Sequence, residues 1–140
     1  MSFGFEVMDH VADVRIRVWG ACLGQVFCEA SKGMWSLIFG ERNVPALSKR
    51  HINVKGVDIE DLFIEFLNEQ LAFFDIEGLA VSRTENIMID KAPDTGHFIL
   101  EAVVYGALVS EISIRPELHI KAATFQELRL TPTEAWVTFE

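Results

Sequence analysis

Residues 14–19, Val-Arg-Ile-Arg-Val-Trp, alternate apolar and polar side chains. A period of two predicts a half-buried strand, with Val14, Ile16 and Val18 on one face and Arg15 and Arg17 on the other. Residues 3–7 read as a shorter strand before it, and residues 9–13 as the turn between them. The period then changes. Leu23, Val26, Phe27, Ala30, Met34, Leu37 and Ile38 fall on one stripe at helical spacing, with Gln25, Glu29, Lys32 and Ser36 opposite. This predicts a helix from Leu23 to about Phe39, weakened locally by Gly33 and ended by Gly40 and Pro45. Residues 51–55 alternate again, as a strand. A second helix opens at Asp58, a good N-cap, with Glu60 and Asp61 placed to oppose the helix dipole. Its apolar stripe is Ile59, Leu62, Phe63, Phe66, Leu67, Phe73 and Phe74, and its polar side is Asp58, Asp61, Glu65, Asn68 and Glu69. Gln70 falls within the stripe, where a polar side chain needs a hydrogen-bond partner. The helix stops by Gly78.

The rest of the chain is strand-rich. Residues 79–83, 85–89, 97–105, 107–115, 119–125, 128–130 and 135–140 carry strand chemistry, with turns marked by Pro93-Asp94-Thr95-Gly96, Arg115-Pro116 and Thr131-Pro132. Two strands, a helix, a strand, a helix and then consecutive strands give an α+β fold: two helices packed on a mostly antiparallel sheet. No linker or repeat divides residues 1–140, so a single domain is expected.

Charge narrows the class of partner. The chain of 140 residues has 12 basic and 21 acidic side chains, a formal charge of −9. Tight binding of nucleic acid by the bulk surface is not expected, because phosphate binding needs basic patches that release counterions. An acidic body suits a basic protein partner or a bound cation. Cys22 and Cys28 do not make a disulfide framework. If both lie on one helix, six residues at about 100° each put them on different faces, against a bridge or a shared metal. They read as small thiols in a reducing compartment. With no signal segment and no apolar run of membrane length, the expected location is the cytoplasm, away from any membrane.

Three groups of residues are candidates for chemistry. Asp13, with His10 and Asp9 beside it, stands at the mouth of the second strand. Its carboxylate suits a hard divalent cation, Ca²⁺ or Mg²⁺. A single acid does not define a metal site, so spacing alone makes Asp13 a turn cap first. The chain ends on Glu140, which adds a side-chain and a terminal carboxylate. On sequence alone this is first a frayed, solvated terminus; if that strand lies beside the first strands, the carboxylates meet at Asp13, at a cost that a cation would neutralise. The third group, Cys28, Trp35 and Phe39, forms a stripe beside the core stripe of the first helix. It either widens the core contact or, if exposed, serves a general protein-folding modulator. A metal-dependent hydrolase using Asp13, His10 and Glu140 is a further alternative. No phosphate-cradling loop, His-Glu-x-x-His, Cys-x-x-Cys or Gly-x-Ser-x-Gly occurs, which argues against an enzyme.

These segments also resemble one family. Asp9-His10-Val11-Ala12-Asp13 is similar to the Asp-His-Thr-Ala-Asp opening of archeases, and Trp19-Gly20 falls where that family closes its strand. Residues 58–62 and 66–71 resemble its Asp-x-x-x-Leu-Leu…Trp-Leu-Asn-Glu-Leu-Leu helix. Residues 120–125 resemble Val-Lys-Ala-Val-Thr-Tyr. The resemblance implies a non-enzymatic accessory protein that activates an RtcB-type RNA-splicing ligase, promoting guanylylation of the ligase and its multiple turnover. It also implies a divalent-metal site, with Asp13 matching the first family ligand and Glu140 standing at or beside the second. His10 and Asp9 would support the site, while Arg15, Arg17 and Lys121 would meet the partner. The chain departs from the family at Val11 for Thr, Gln126 for His, Ala107 for the Glu of a Gly-Glu pair, and at Phe139 or Glu140 for the C-terminal Asp.

Overall fold

The computed structural model describes residues 2–8 and 13–140. Among them, the elements run β1 (Gly4–Met8), β2 (Val14–Trp19), α1 (Leu23–Phe39), β3 (Ser48–Gly56), α2 (Ile59–Glu77), β4 (Leu79–Lys91), β5 (Phe98–Leu108), β6 (Ala123–Thr131) and β7 (Glu134–Phe139). The fold is α+β with two helices, as the patterning predicts, and the strands divide between two antiparallel sheets. One has the order β1-β2-β7-β6, the other β3-β5-β4.

Both helices form as predicted. Asp58 caps α2 by accepting from Asp61 N at 2.8 Å, and Gly78 ends it in the left-handed region at φ 75°, where glycine has no Cβ penalty. Each helix touches both sheets, α1 mainly through β2 and β4 and α2 mainly through β3. Phe27 of α1 meets Phe63 of α2 edge to face at 5.0 Å between ring centres, with Phe66 at 5.7 Å. Gln70 finds the partners its position demands. Its Oε1 accepts from Ser31 Oγ at 2.6 Å and Trp35 Nε1 at 2.9 Å, and its Nε2 donates to Phe66 O at 3.4 Å. One buried amide thus ties α1 to α2 and leaves no donor of the trio unpaired.

Several expectations need correction. Because α1 packs against strands of both sheets, its buried arc is wider than one stripe: Trp35 and Phe39 are buried, and so is Glu29, expected on the wet side. The apolar stripe that would have served a folding modulator is therefore core. Cys22 sits at the N-cap of α1 with extended backbone, outside the helix, so the face-separation argument fails. Cys22 and Cys28 are both free thiols lining one groove.

Residues 79–83 and 85–89 form one strand, β4. Irregularities in its pairing with β5 absorb the break, and Asn86 takes φ 56° within it. The strand expected over 97–105 continues through Gly106 to Leu108, and residues 109–111 then form a short 3₁₀ turn instead of a further strand. Gly106 marks a close approach of backbones rather than a turn, since a Cβ there would overlap the Ala80 carbonyl oxygen. Residues 119–122 lie before β6, which absorbs residues 128–130. A bulge between Thr124 and Arg129 includes Glu127 at φ 53°.

Candidate functional site

The alternation that buries Ile16 and Val18 leaves Arg15 and Arg17 on the opposite, outer face of their sheet. On β7 the same alternation buries Ala135, Val137 and Phe139. The two strands pair antiparallel, with Ile16 opposite Val137 and Val14 opposite Phe139. Asp13 and Glu140 are thus each one residue beyond the last registered pair, at outward positions of their strands. Glu140 continues the ladder on its other side: its N donates to Ala122 O at 3.0 Å, and its O accepts from Lys121 N at 2.7 Å. The segment carrying Lys121 is itself held from the helical layer. Asn68 of α2 accepts from Ala123 N at 2.7 Å and donates through Nδ2 to Ala123 O at 3.2 Å, as a neighbouring strand would. The start of β2, the end of β7 and the segment held by α2 therefore converge where Asp13, Lys121 and Glu140 stand.

Asp13 is half-buried and Glu140 exposed. Carboxylate oxygens are the right donors for a hard cation, but Ca²⁺ takes roughly 6–8 oxygen ligands and two acids do not complete its shell. Among the described residues no group of three His, Cys, Asp or Glu side chains is spaced to hold a metal ion. Asp9 and His10, the expected supporting pair, lie outside the described residues.

Arg15 and Arg17 are engaged within the chain. Arg17 donates through Nε and Nη2 to Glu134 Oε2, at 3.0 and 2.7 Å, and its guanidinium lies 4.8 Å from the Trp19 ring centre and 5.8 Å from that of Trp136. Arg15 lies 4.7 Å from the Trp136 ring centre and donates to Glu127 O at 2.8 Å. The hydrogen bond from Arg17, followed by one from Trp136 Nε1, holds the Glu134 carboxyl below its ordinary range. The outer face of this sheet is a part-exposed ladder of cations stacked on indoles. Of the three basic residues expected to meet a partner, Lys121 is exposed. Asn68 and Glu134 were missed. The sequence pattern places Asn68 on the wet side of α2. Glu134 had no sequence signal beyond sitting at the start of a strand.

The chain matches the profile of the Archease protein family over residues 5–139. It belongs to the archease family. Its similar relatives include Protein archease of Pyrococcus abyssi, 30% identical over 135 residues that cover 95% of this chain and 93% of that one. Protein archease of Methanosarcina barkeri is 27% identical over 135 residues, covering 94% and 90%. The solution structure of Methanobacterium thermoautotrophicum protein 1598 superposes with a TM-score of 0.79 at 25% identity, covering 98% of both chains. Membership of the archease family carries the coarse class of an accessory protein. The departures of this archease now have places. Ala107 is fully buried, so a Glu there would need a partner inside the core. Phe139 is 1% exposed on the inner face, so a carboxylate at 139 would point into the core, whereas Glu140 shares the outward parity of Asp13. Gln126 is exposed in the β6 bulge, and Val11 lies outside the described residues.

Proposed function

We propose that this archease activates an RtcB-type RNA ligase in the cytoplasm, promoting the ligase's guanylylation and turnover without catalysing a reaction itself. The observation that carries the reading is the pairing of β2 with β7, which draws the second and last strands together and gives Asp13 and Glu140 the same outward parity. Asp13 and Glu140 would supply carboxylate oxygens to a Ca²⁺ or Mg²⁺ ion, with Asp9 and His10 in support. A bound divalent ion would neutralise the two acids and present positive charge to a phosphate or nucleotide. Rigidity favours this role: Glu140 is held through its backbone N and O against residues 121–122, and Asn68 fixes that segment from the helical layer. Lys121, exposed beside Glu140, is the basic side chain best placed to meet a protein partner. The charge of −9 suits docking on a ligase with a basic RNA groove.

Single-turnover guanylylation of a matched ligase, with and without this protein, tests the reading. Stimulation is expected with the parent, with a loss of tenfold or more in Asp13→Ala and on deletion of Glu140. Full stimulation by both variants would remove the carboxylate end from the mechanism.

A further inference from the structure

The three-stranded sheet ends on β3 and β4, and the four-stranded sheet on β1 and β6. An open edge presents unpaired N–H and C=O groups and can take up a further strand. Three of these edges are poorly built for it. β1 is five residues long. β4 carries two pairing irregularities and Asn86 in the left-handed region, and β6 carries the bulge at Glu127. β3 differs. It pairs with β5 in one unbroken register, from Ser48 opposite Gly106 to Gly56 opposite Phe98. Among the described residues its other side pairs with no strand.

Charge sets this edge apart as well. In a chain of −9, β3 holds Lys49, Arg50 and Lys55 and no acid. The other three edge strands each carry at least as many acids as bases. Arg50 is taken by Glu77 of α2 at 2.8 Å. Lys49 and Lys55 are exposed, share a face with exposed His51 and Asn53, and form no ion pair with a described residue. Leu47 and Val57, 62% and 64% exposed, bracket the strand with apolar surface. Lysines on an edge keep a second copy away, because like charges would face one another. They do the reverse for a strand that carries acids at alternate positions.

We infer that the free edge of β3 docks an extended acidic segment of a protein partner, added as a further strand with its acids facing Lys49 and Lys55. Backbone pairing supplies the attachment, and the lysines select the sequence. RNA fits this face less well. Stacking of bases needs open aromatic rings, and Tyr105, opposite Lys49, already carries Arg83 at 4.4 Å from its ring centre. The edge includes neither Asp13 nor Glu140, so the proposal is independent of the ligase reading.

The test follows backbone amide resonances of the full chain as acetyl-Glu-Thr-Glu-Val-Glu-Thr-Glu-amide is added. One comparison peptide has lysine for each glutamate. Another has proline for threonine and valine, which keeps the charge but removes the ladder donors. A uridine decamer is the fourth arm. The expected result is a saturable shift centred on residues 48–56, with slower exchange of their amides. Binding should be at least fivefold weaker with either comparison peptide, and in the double variant Lys49→Gln, Lys55→Gln. Both lysines are exposed, so that variant should melt within about 2 °C of the parent. Four outcomes overturn the proposal: no saturable shift in β3, equal binding of the proline peptide, unchanged affinity in the double variant, or tighter binding of the uridine decamer at the same residues. A dimer that protects the β3 amides without peptide would make the edge a self-association site and overturn it equally.

Discussion

The two sheets are built from the same kind of hairpin but are closed differently. In β3-β5-β4 every strand comes from residues 48–108, and the central strand pairs with both neighbours over long registers. In β1-β2-β7-β6, two hairpins from opposite ends of the sequence are joined by a single pairing, residues 14–19 against 134–139. The first sheet is local and continuous. The second depends on one long-range seam, and Asp13 and Glu140 stand at the end of it. Here the candidate chemistry lies at the pairing that joins the two ends of the sequence, which brings two distant carboxylates to one edge.

Breaking the local sheet should have the largest effect. Gly106→Ala drives a Cβ into the Ala80 carbonyl, where only backbone could yield. Denaturant unfolding is expected to show a loss of about 3 kcal/mol or more, with hydrogen exchange rising first along β4 and β5. Equal early exchange in β2 and β7 would show that the two sheets are not separable units.

The layer that both sheets share comes next. Gln70→Ala leaves the Ser31 hydroxyl and the Trp35 indole N–H buried without their acceptor, at an expected cost of about 2–4 kcal/mol. Tryptophan fluorescence and backbone circular dichroism should report one coincident transition, since the core serves both sheets.

The strand beside the seam is probed by Asn68→Ala, which removes two hydrogen bonds to Ala123 at the start of β6 and is expected to cost about 1–2 kcal/mol. Amide exchange at Ala123 and Glu140 should accelerate while β3 and β5 stay protected. Uniform exchange across the chain would mean that Asn68 does not act locally on the seam.

The smallest effect belongs to the outer ladder. Glu134 has a folded pKa below its ordinary value of 4.5, so its stabilisation is present above that value and fades as pH falls through the lower, folded one. The pair is over a third exposed on the acid's side, and Glu134→Gln should cost about 0.5 kcal/mol at neutral pH. The difference from parent should vanish in strong acid. A difference that persists there would assign the effect to packing of Trp136 instead of charge.

Helices were the most legible part of the sequence, because periodicity over seventeen and nineteen residues and a clear cap at Asp58 leave few alternatives. The need of Gln70 for partners was legible too, though not their identity. Strand boundaries after residue 79 were less so. A break in alternation reads as a turn, whereas β4 stays continuous through irregular pairing and Gly106 serves backbone contact. The outward parity of Arg15 and Arg17 was readable, but their engagement by Glu127 and Glu134 was not, since it crosses more than a hundred residues. Glu29 was misread for a related reason: a helical wheel allows for one packed side, and α1 has strands of both sheets against it. Asn68 lay hidden among charged neighbours because a side chain standing in for a strand leaves no periodic trace.

The seam has a consequence for how this molecule is made. During synthesis β2 emerges early, while its partner β7 is still more than a hundred residues from translation. Until then one edge of β2 is an open template for pairing with other chains. Its alternate arginines put like charges opposite one another in any pairing of two copies at that edge, which disfavours it.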